Sequence, residues 1–150
     1  MIRPARLNDI PAIKDCAKAA YEVYVERIGR EPAPMQANFP ALLKTHKVDV
    51  YEHERELAGY VVYIADTEAV LLDNVAVHPR FARRGIGKQL ITHVELFALN
   101  CGHGVVKLYT NEAMTENLAL YPKLDYVETT RAIEDGYSRV YFMKTVQPSQ

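Results

Sequence analysis

Apolar positions recur along this chain at two spacings, and the alternation between them marks out its elements. Residues 2–7 predict a short strand. Asn8 or Asp9 can then cap a helix with Pro11 in its first turn; Ile10, Ile13, Ala17 and Ala20 fall on one face of it, and it runs on towards Tyr24. Gly29-Arg30-Glu31-Pro32-Ala33-Pro34 ends any helix by its prolines but is too short for a domain boundary, and a second helix is expected over 35–44. The centre reads as strands at 48–53, 57–64 and 69–77, parted by Glu54-Arg55 and by Asp66-Thr67-Glu68, so an antiparallel meander is the simple arrangement. The clearest helix spans 85–101, where Ile86, Leu90, Val94, Phe97 and Cys101 form one stripe and Gly102 is a natural stop. A strand at 105–110 and a helix at 115–124 follow, then a hairpin of 125–131 with 138–145 about Asp135-Gly136. The coherent architecture is an α/β (α+β) chain, with a mainly antiparallel sheet carrying helices on both faces.

Composition narrows the function. The chain has 150 residues, 49% hydrophobic and 25% charged, which suits one soluble domain over 1–150 with a real core. A formal net charge of -1 gives no reason to expect nucleic acid or an anionic membrane as partner. The apolar run at 69–77 is interrupted by Asp73 and Asn74, and Met1-Ile2-Arg3-Pro4 lacks a signal-peptide core, so the expected location is the cytoplasm. Cys16 and Cys101 are far apart and are expected to be reduced, structural thiols. The five histidines show no paired ligand pattern, so no metal is expected.

The candidate chemistry starts at Arg83-Arg84-Gly85-Ile86-Gly87-Lys88, between a predicted strand and the long helix. Glycines at such a turn let the backbone approach a ligand, and the free N–H groups at a helix start favour an anion. Successive amides there form a nest suited to a pyrophosphate, and Arg83, Arg84 and Lys88 add positive charge. A plain helix start whose glycines serve tight packing gives the same pattern. A Rossmann fingerprint needs a third glycine where Leu90 stands, and a P-loop needs Ser or Thr where Gln89 stands, so neither fits.

Val77-His78-Pro79 followed by Arg84-Gly85-Ile86-Gly87 resembles the acetyl-CoA signature of the GNAT superfamily of N-acetyltransferases. The resemblance covers nearly the whole chain: Ile2-Arg3-Pro4-Ala5 is similar to the family's first strand and Leu57-Ala58-Gly59-Tyr60-Val61 to its third, while Asn117-Leu118-Ala119-Leu120-Tyr121 and Leu124-Asp125-Tyr126 are similar to its second CoA motif. Ala82 stands where the family usually has Gln or Arg, and Asp125 where it usually has Gly. The resemblance implies a mixed, mostly antiparallel sheet of six to seven strands, splayed at strands 4 and 5. It also implies acetyl-CoA as cosubstrate, held by the backbone at Val75, Ala76 and Val77 and by Arg83, Arg84, Gly85, Ile86, Gly87 and Lys88.

Acyl transfer to an amine needs a polarised carbonyl, a neutral amine and a protonated leaving thiolate. An amine with a pKa of about 10.4 is neutral in only about one molecule in a thousand near pH 7, so a base or a desolvating pocket is required. Tyr121 matches the tyrosine that, in many family members, protonates the departing thiolate. Asn117, one turn earlier, shares its face and could bond the pantetheine arm. Asp73 interrupts an apolar strand and is the candidate base. The plainer alternatives are packing for Tyr121, an exposed polar position for Asn117 and a solvent-facing carboxylate for Asp73.

The acceptor side, by resemblance, draws on Tyr21, Tyr24, Arg27, Arg30, Glu31 and Met35 with Glu134, Asp135 and Tyr137. Its charges conflict in sign, so a small molecule, a peptide and a protein amine all stay open as acceptors. A silent acyl-CoA-binding module and a site for another nucleotide are the competing functions. Dimerisation through the C-terminal strands is common in the resembled family.

Overall fold

The computed structural model describes residues 1–146, so residues 147–150 of the expected domain lie outside the described residues. Its strands are β1 (Ile2–Pro4), β2 (Lys47–His53), β3 (Glu56–Ala65), β4 (Val70–Val77), β5 (Val105–Asn111), β6 (Val127–Glu134) and β7 (Tyr137–Thr145). Its helices are α1 (Ile10–Tyr21), α2 (Tyr24–Ile28), α3 (Phe39–Thr45), α4 (Ile86–Asn100) and α5 (Thr115–Lys123). The strands form one mixed sheet in the order β1-β2-β3-β4-β5-β7-β6. The pairings β1–β2, β2–β3, β5–β7 and β6–β7 are antiparallel, and β4–β5 is parallel. By contact the chain divides into two compact units, one of Met1–Ile64 with Asp73–His93 and one of Ala65–Leu72 with the chain from Val94 onward.

In the first unit the strands carry helices on both faces. Tyr60 of β3 meets Phe39 of α3 edge-on at 5.6 Å. Tyr63, three residues on and so of opposite parity, faces His93 of α4 at 6.2 Å. Ile13, Phe39, Val50, Tyr60, Val61, Val62 and Leu90 are at most 2% exposed and make the core of this unit. Each such side chain contributes about 1.5–3 kcal/mol of burial relative to exposure.

Local chemistry moves several boundaries. β1 ends at Pro4, short of the expected 2–7, because Asp9 accepts the Arg6 N–H at 2.7 Å and tightens the next residues into a 3-10 turn. The expected helix at 35–44 is two pieces, a 3-10 turn at Ala33–Gln36 and then α3. Asn38 breaks it: its side-chain oxygen accepts the Ala41 N–H at 3.2 Å and caps a new helix with Pro40 in the first turn. The helix running towards Tyr24 stops at Tyr21, and α2 continues to a left-handed Gly29.

In the second unit, Val70, Leu71 and Leu72 pair with Val106, Lys107 and Leu108, while β4 runs on to Val77 and β5 to Asn111. α5 packs one face of β5 and β7, with Tyr121 5.6 Å from Phe142 and 5.8 Å from Tyr126. Tyr126 donates to Glu95 at 2.9 Å, and Lys144 donates to the same carboxylate at 3.0 Å. Burial, then the Glu95 charge, push the Tyr126 phenol well above its usual range, so it stays a donor. Asp125, at the position where the resembled family usually has Gly, has φ +72°, a left-handed conformation that glycine adopts without strain. β6 lies at the end of the strand order, and all of Val127–Glu134 is exposed. Cys16 is buried, and desolvation pushes its thiol up to about 12; Cys101 is on the surface, not in a structural position.

Candidate active site

The turn before α4 has the backbone of an anion nest. Arg83 and Gly85 both sit in the left-handed region, at φ +66° and +75°, and flank Arg84. The Gln89 N–H donates to the Gly85 carbonyl at 3.0 Å, so the N–H groups of Ile86, Gly87 and Lys88 precede that helical bond. Arg83, Arg84, Gly85 and Lys88 are exposed, while Ile86 is 4% exposed and anchors the turn. Arg84 lies over the Phe81 ring at 5.3 Å, which holds its charge beside the nest.

The glycines of the turn are not explained by packing. A Cβ on Gly85 would meet nothing within 4 Å, and one on Gly87 would meet Val77 Cγ2 at an ordinary 3.6 Å. Gly59 of β3 is the close-packed one, where a Cβ would fall 2.7 Å from the Ala76 carbonyl oxygen and 3.2 Å from Leu90 Cδ1. That approach sets the backbone of β3 against Ala76 of β4.

The second half of β4 carries the other residues of this unit that the sequence singled out. Val75 and Val77 are half-buried and Ala76 is buried. The Tyr21 hydroxyl reaches the Val75 carbonyl at 2.7 Å and Asn74 Oδ1 at 3.0 Å, and Asn74 Nδ2 donates to the Tyr60 hydroxyl at 2.8 Å. Tyr21 is thus a buried residue (8% exposed) tied to β4 through its hydroxyl. Desolvation raises the Tyr60 phenol, which keeps this network neutral. Asp73 is compensated: its Oδ2 lies 2.9 Å from His46 Nε2, and His46 Nδ1 is 2.7 Å from the Thr45 hydroxyl. The Asp73 side chain is 38% exposed, enough to meet a solute. Tyr24 is half-buried with Arg27 over its ring at 5.1 Å; Arg27, Arg30 and Glu31 are exposed and Met35 is half-buried. A second polar cluster joins Asp49 Oδ2 to the Tyr63 hydroxyl at 2.5 Å and to His93 Nε2 at 2.9 Å, and fastens α4 to β2 and β3.

In the second unit, Tyr121 is 5% exposed on α5. Asn117 is half-buried, and its amide donates to Thr110 Oγ1 at 3.1 Å, so it ties α5 to β5 rather than standing exposed. Tyr137 is buried, while Glu134 and Asp135 are exposed at the hairpin. Sequence reasoning missed Asn74 and His46. Asn74 carried one visible signal, an amide in an apolar strand beside the aspartate that drew attention instead.

A family model described as an acetyltransferase (GNAT) domain matches residues 44–128. No curated protein matches the chain in sequence. Solved structures share its fold at low identity. The ribosomal-protein-S18-alanine N-acetyltransferase from Escherichia coli superposes with a TM-score of 0.79 at 17% identity, over 100% of this chain and 96% of that one. The PaiA N-acetyltransferase from Thermoplasma acidophilum in complex with coenzyme A gives 0.80 at 14% identity, over 97% and 98%. A GNAT family acetyltransferase from Elizabethkingia anophelis with acetyl-CoA bound gives 0.70 at 21% identity, over 97% of each chain. The matched segment spans more than half of the 150 residues, and the chain belongs to the GNAT family of acetyltransferases.

Proposed function

We propose that this protein is an N-acetyltransferase that moves an acetyl group from acetyl-CoA directly to a primary amine of a small molecule, peptide or protein. The observation that carries the reading is the turn at Arg83–Lys88. Its left-handed residues and the helix-start amides that precede the first helical bond suit a diphosphate, and packing does not account for its glycines. Within the first unit the donor set suits a CoA thioester: N–H groups of Ile86, Gly87 and Lys88 with the charges of Arg83, Arg84 and Lys88 for the diphosphate, and the backbone of Val75, Ala76 and Val77 for the pantetheine; Asn117 is assigned to the pantetheine by the family resemblance. When bound, acetyl-CoA supplies an activated acyl group on a thiolate leaving group.

The roles of the chain's own residues follow from the chemistry of their side chains. Tyr121 is the candidate acid: a phenol, with a reference pKa of about 10, can donate a proton to a departing thiolate. Asp73 is the candidate base that takes a proton from the incoming ammonium, and His46 Nε2 at 2.9 Å holds the carboxylate in place. Tyr21 fixes the Val75 carbonyl and so steadies the strand that takes the pantetheine. Support for acetyl as the transferred group comes from the family and from the CoA and acetyl-CoA complexes of two fold relatives.

The test is thiol release from acetyl-CoA against a broad panel of primary amines, repeated across pH with Asp73→Asn. Wild-type enzyme is expected to release thiol with at least one amine class. The variant is expected to lose about 10²-fold in kcat/KM together with the acid limb of its pH profile. An unchanged profile removes Asp73 as base. Tight CoA binding without thiol release from any amine points instead to a silent acyl-CoA-binding module.

A further inference from the structure

One edge of β4 carries a backbone carbonyl that a side chain already occupies. Burial alternates without a break from Val70 to Val77, so successive peptide groups turn to opposite edges of the strand. His78 donates its N–H to the Ala58 carbonyl of β3 at 2.8 Å, and the Ala76 carbonyl oxygen stands beside Gly59 of the same strand. Val75 therefore presents its N–H and its carbonyl on the edge away from β3, where pairing with β5 ends at Leu72. The Tyr21 hydroxyl reaches that carbonyl at 2.7 Å. A carbonyl oxygen can only accept, so the bond contains the hydroxyl proton.

The surroundings hold this hydroxyl in place. Tyr21 and Asn74 are each 8% exposed and Tyr60 is fully buried. The Asn74 amide spans the two phenols, with Oδ1 3.0 Å from the Tyr21 hydroxyl and Nδ2 donating to that of Tyr60 at 2.8 Å. All four groups belong to the first unit. A neighbouring strand would serve the N–H and the carbonyl of one residue alike, whereas Tyr21 serves the carbonyl alone. An oxygen that accepts the Val75 N–H comes close to the Val75 carbonyl oxygen, and the two repel. Capping the carbonyl with a proton weakens that repulsion, and the gain grows as negative charge builds on the accepted oxygen.

We propose that Tyr21 is a positioning residue for the acyl donor: by holding the Val75 carbonyl it leaves the Val75 N–H to the thioester oxygen and eases the charge that develops there. The proposal rests on the acetyl-transfer reading. It gives Tyr21 a place beside the donor in place of the acceptor contact implied by the resemblance.

Two measurements test it. Tyr21→Phe keeps the ring and deletes the hydroxyl. Its kcat is expected to fall about tenfold, less than the roughly 10²–10³ that follows outright loss of an oxyanion donor, while affinity for CoA, which has no acyl oxygen, stays within about threefold. Unchanged kcat overturns the proposal, and so does an equal loss in kcat and in CoA affinity, the result of a merely loosened strand. The second measurement uses the wild-type protein. Asn74-Val75 and Val75-Ala76 each occur once in the sequence, so paired amino-acid labelling identifies the N–H and carbonyl resonances of Val75. Acetyl-CoA is expected to shift the Val75 N–H further than CoA does and to leave the Val75 carbonyl where it was. An N–H shift no larger with acetyl-CoA than with CoA, or a carbonyl resonance that moves as ligand displaces Tyr21, overturns the proposal. Thiol release with full turnover in Tyr21→Phe removes this role and keeps the acetyl-transfer reading. The selective N–H shift in a protein that releases no thiol with any amine upholds the positioning and removes that reading instead.

Discussion

Tyr121→Phe is expected to lower kcat by about 10²-fold or more, the usual contribution of a positioned general acid, while CoA affinity stays within about threefold of wild type. The ring is 5% exposed and packs on Tyr126 and Phe142, and phenylalanine keeps those contacts. Steady-state kinetics with acetyl-CoA, beside calorimetric titration with CoA, separate the two effects. A thiolate that leaves without a proton leaves slowly, so the loss belongs in kcat rather than KM. Unchanged turnover would assign Tyr121 to packing alone.

The second large effect is a contrast between two glycines. Gly59→Ala is expected to destabilise the fold by about 1–3 kcal/mol, because its Cβ would stand 2.7 Å from the Ala76 carbonyl, a backbone atom that yields only if β3 and β4 move apart. For a chain of this length that lowers Tm by roughly 2–4 °C per kcal/mol. CoA affinity should fall as well, since Ala76 lies in the stretch of β4 assigned to the pantetheine. Gly87→Ala should do the reverse to stability. A helical alanine in ordinary contact with Val77 gains about 0.5–1 kcal/mol, yet its methyl stands at the proposed diphosphate cradle and should weaken CoA binding about tenfold or more. Melting curves with and without CoA read both variants. A Gly87→Ala protein that melts higher and still binds CoA as wild type does would remove the cradle.

The residues that carry these predictions were unequally legible in the sequence. The helix after the glycine turn could be read to within a residue at each end, because Ile86, Leu90, Val94 and Phe97 keep one face and Gly102 stops it. The β2–β3 pairing and the β6–β7 hairpin followed from strong period-two segments and from turn residues that in fact adopt positive φ, Glu54, Arg55, Asp135 and Gly136, while the mixed sheet was implied by the family resemblance. The stretch from 33 to 45 was not legible, since the Asn38 cap outweighed the apolar spacing that joined its two pieces. Within the candidate site, local motifs were visible and contacts between distant segments were not. Nothing in the spacing says that His46 meets Asp73, or that the Tyr21 hydroxyl closes on the Val75 carbonyl.

The fully exposed strand β6 sets a limit on how the hairpin can be altered. A terminal strand leaves a row of backbone donors and acceptors open to a neighbouring copy, and Val127 and Ile133, 65% and 77% exposed, would reward such zipping. Glu128, Arg131 and Glu134 interrupt that apolar content, with Arg131 tied at 3.0 Å to Glu128 and at 3.1 Å to Glu112. A more apolar hairpin would strip these gatekeepers and open the strand edge to pairing with a neighbouring copy.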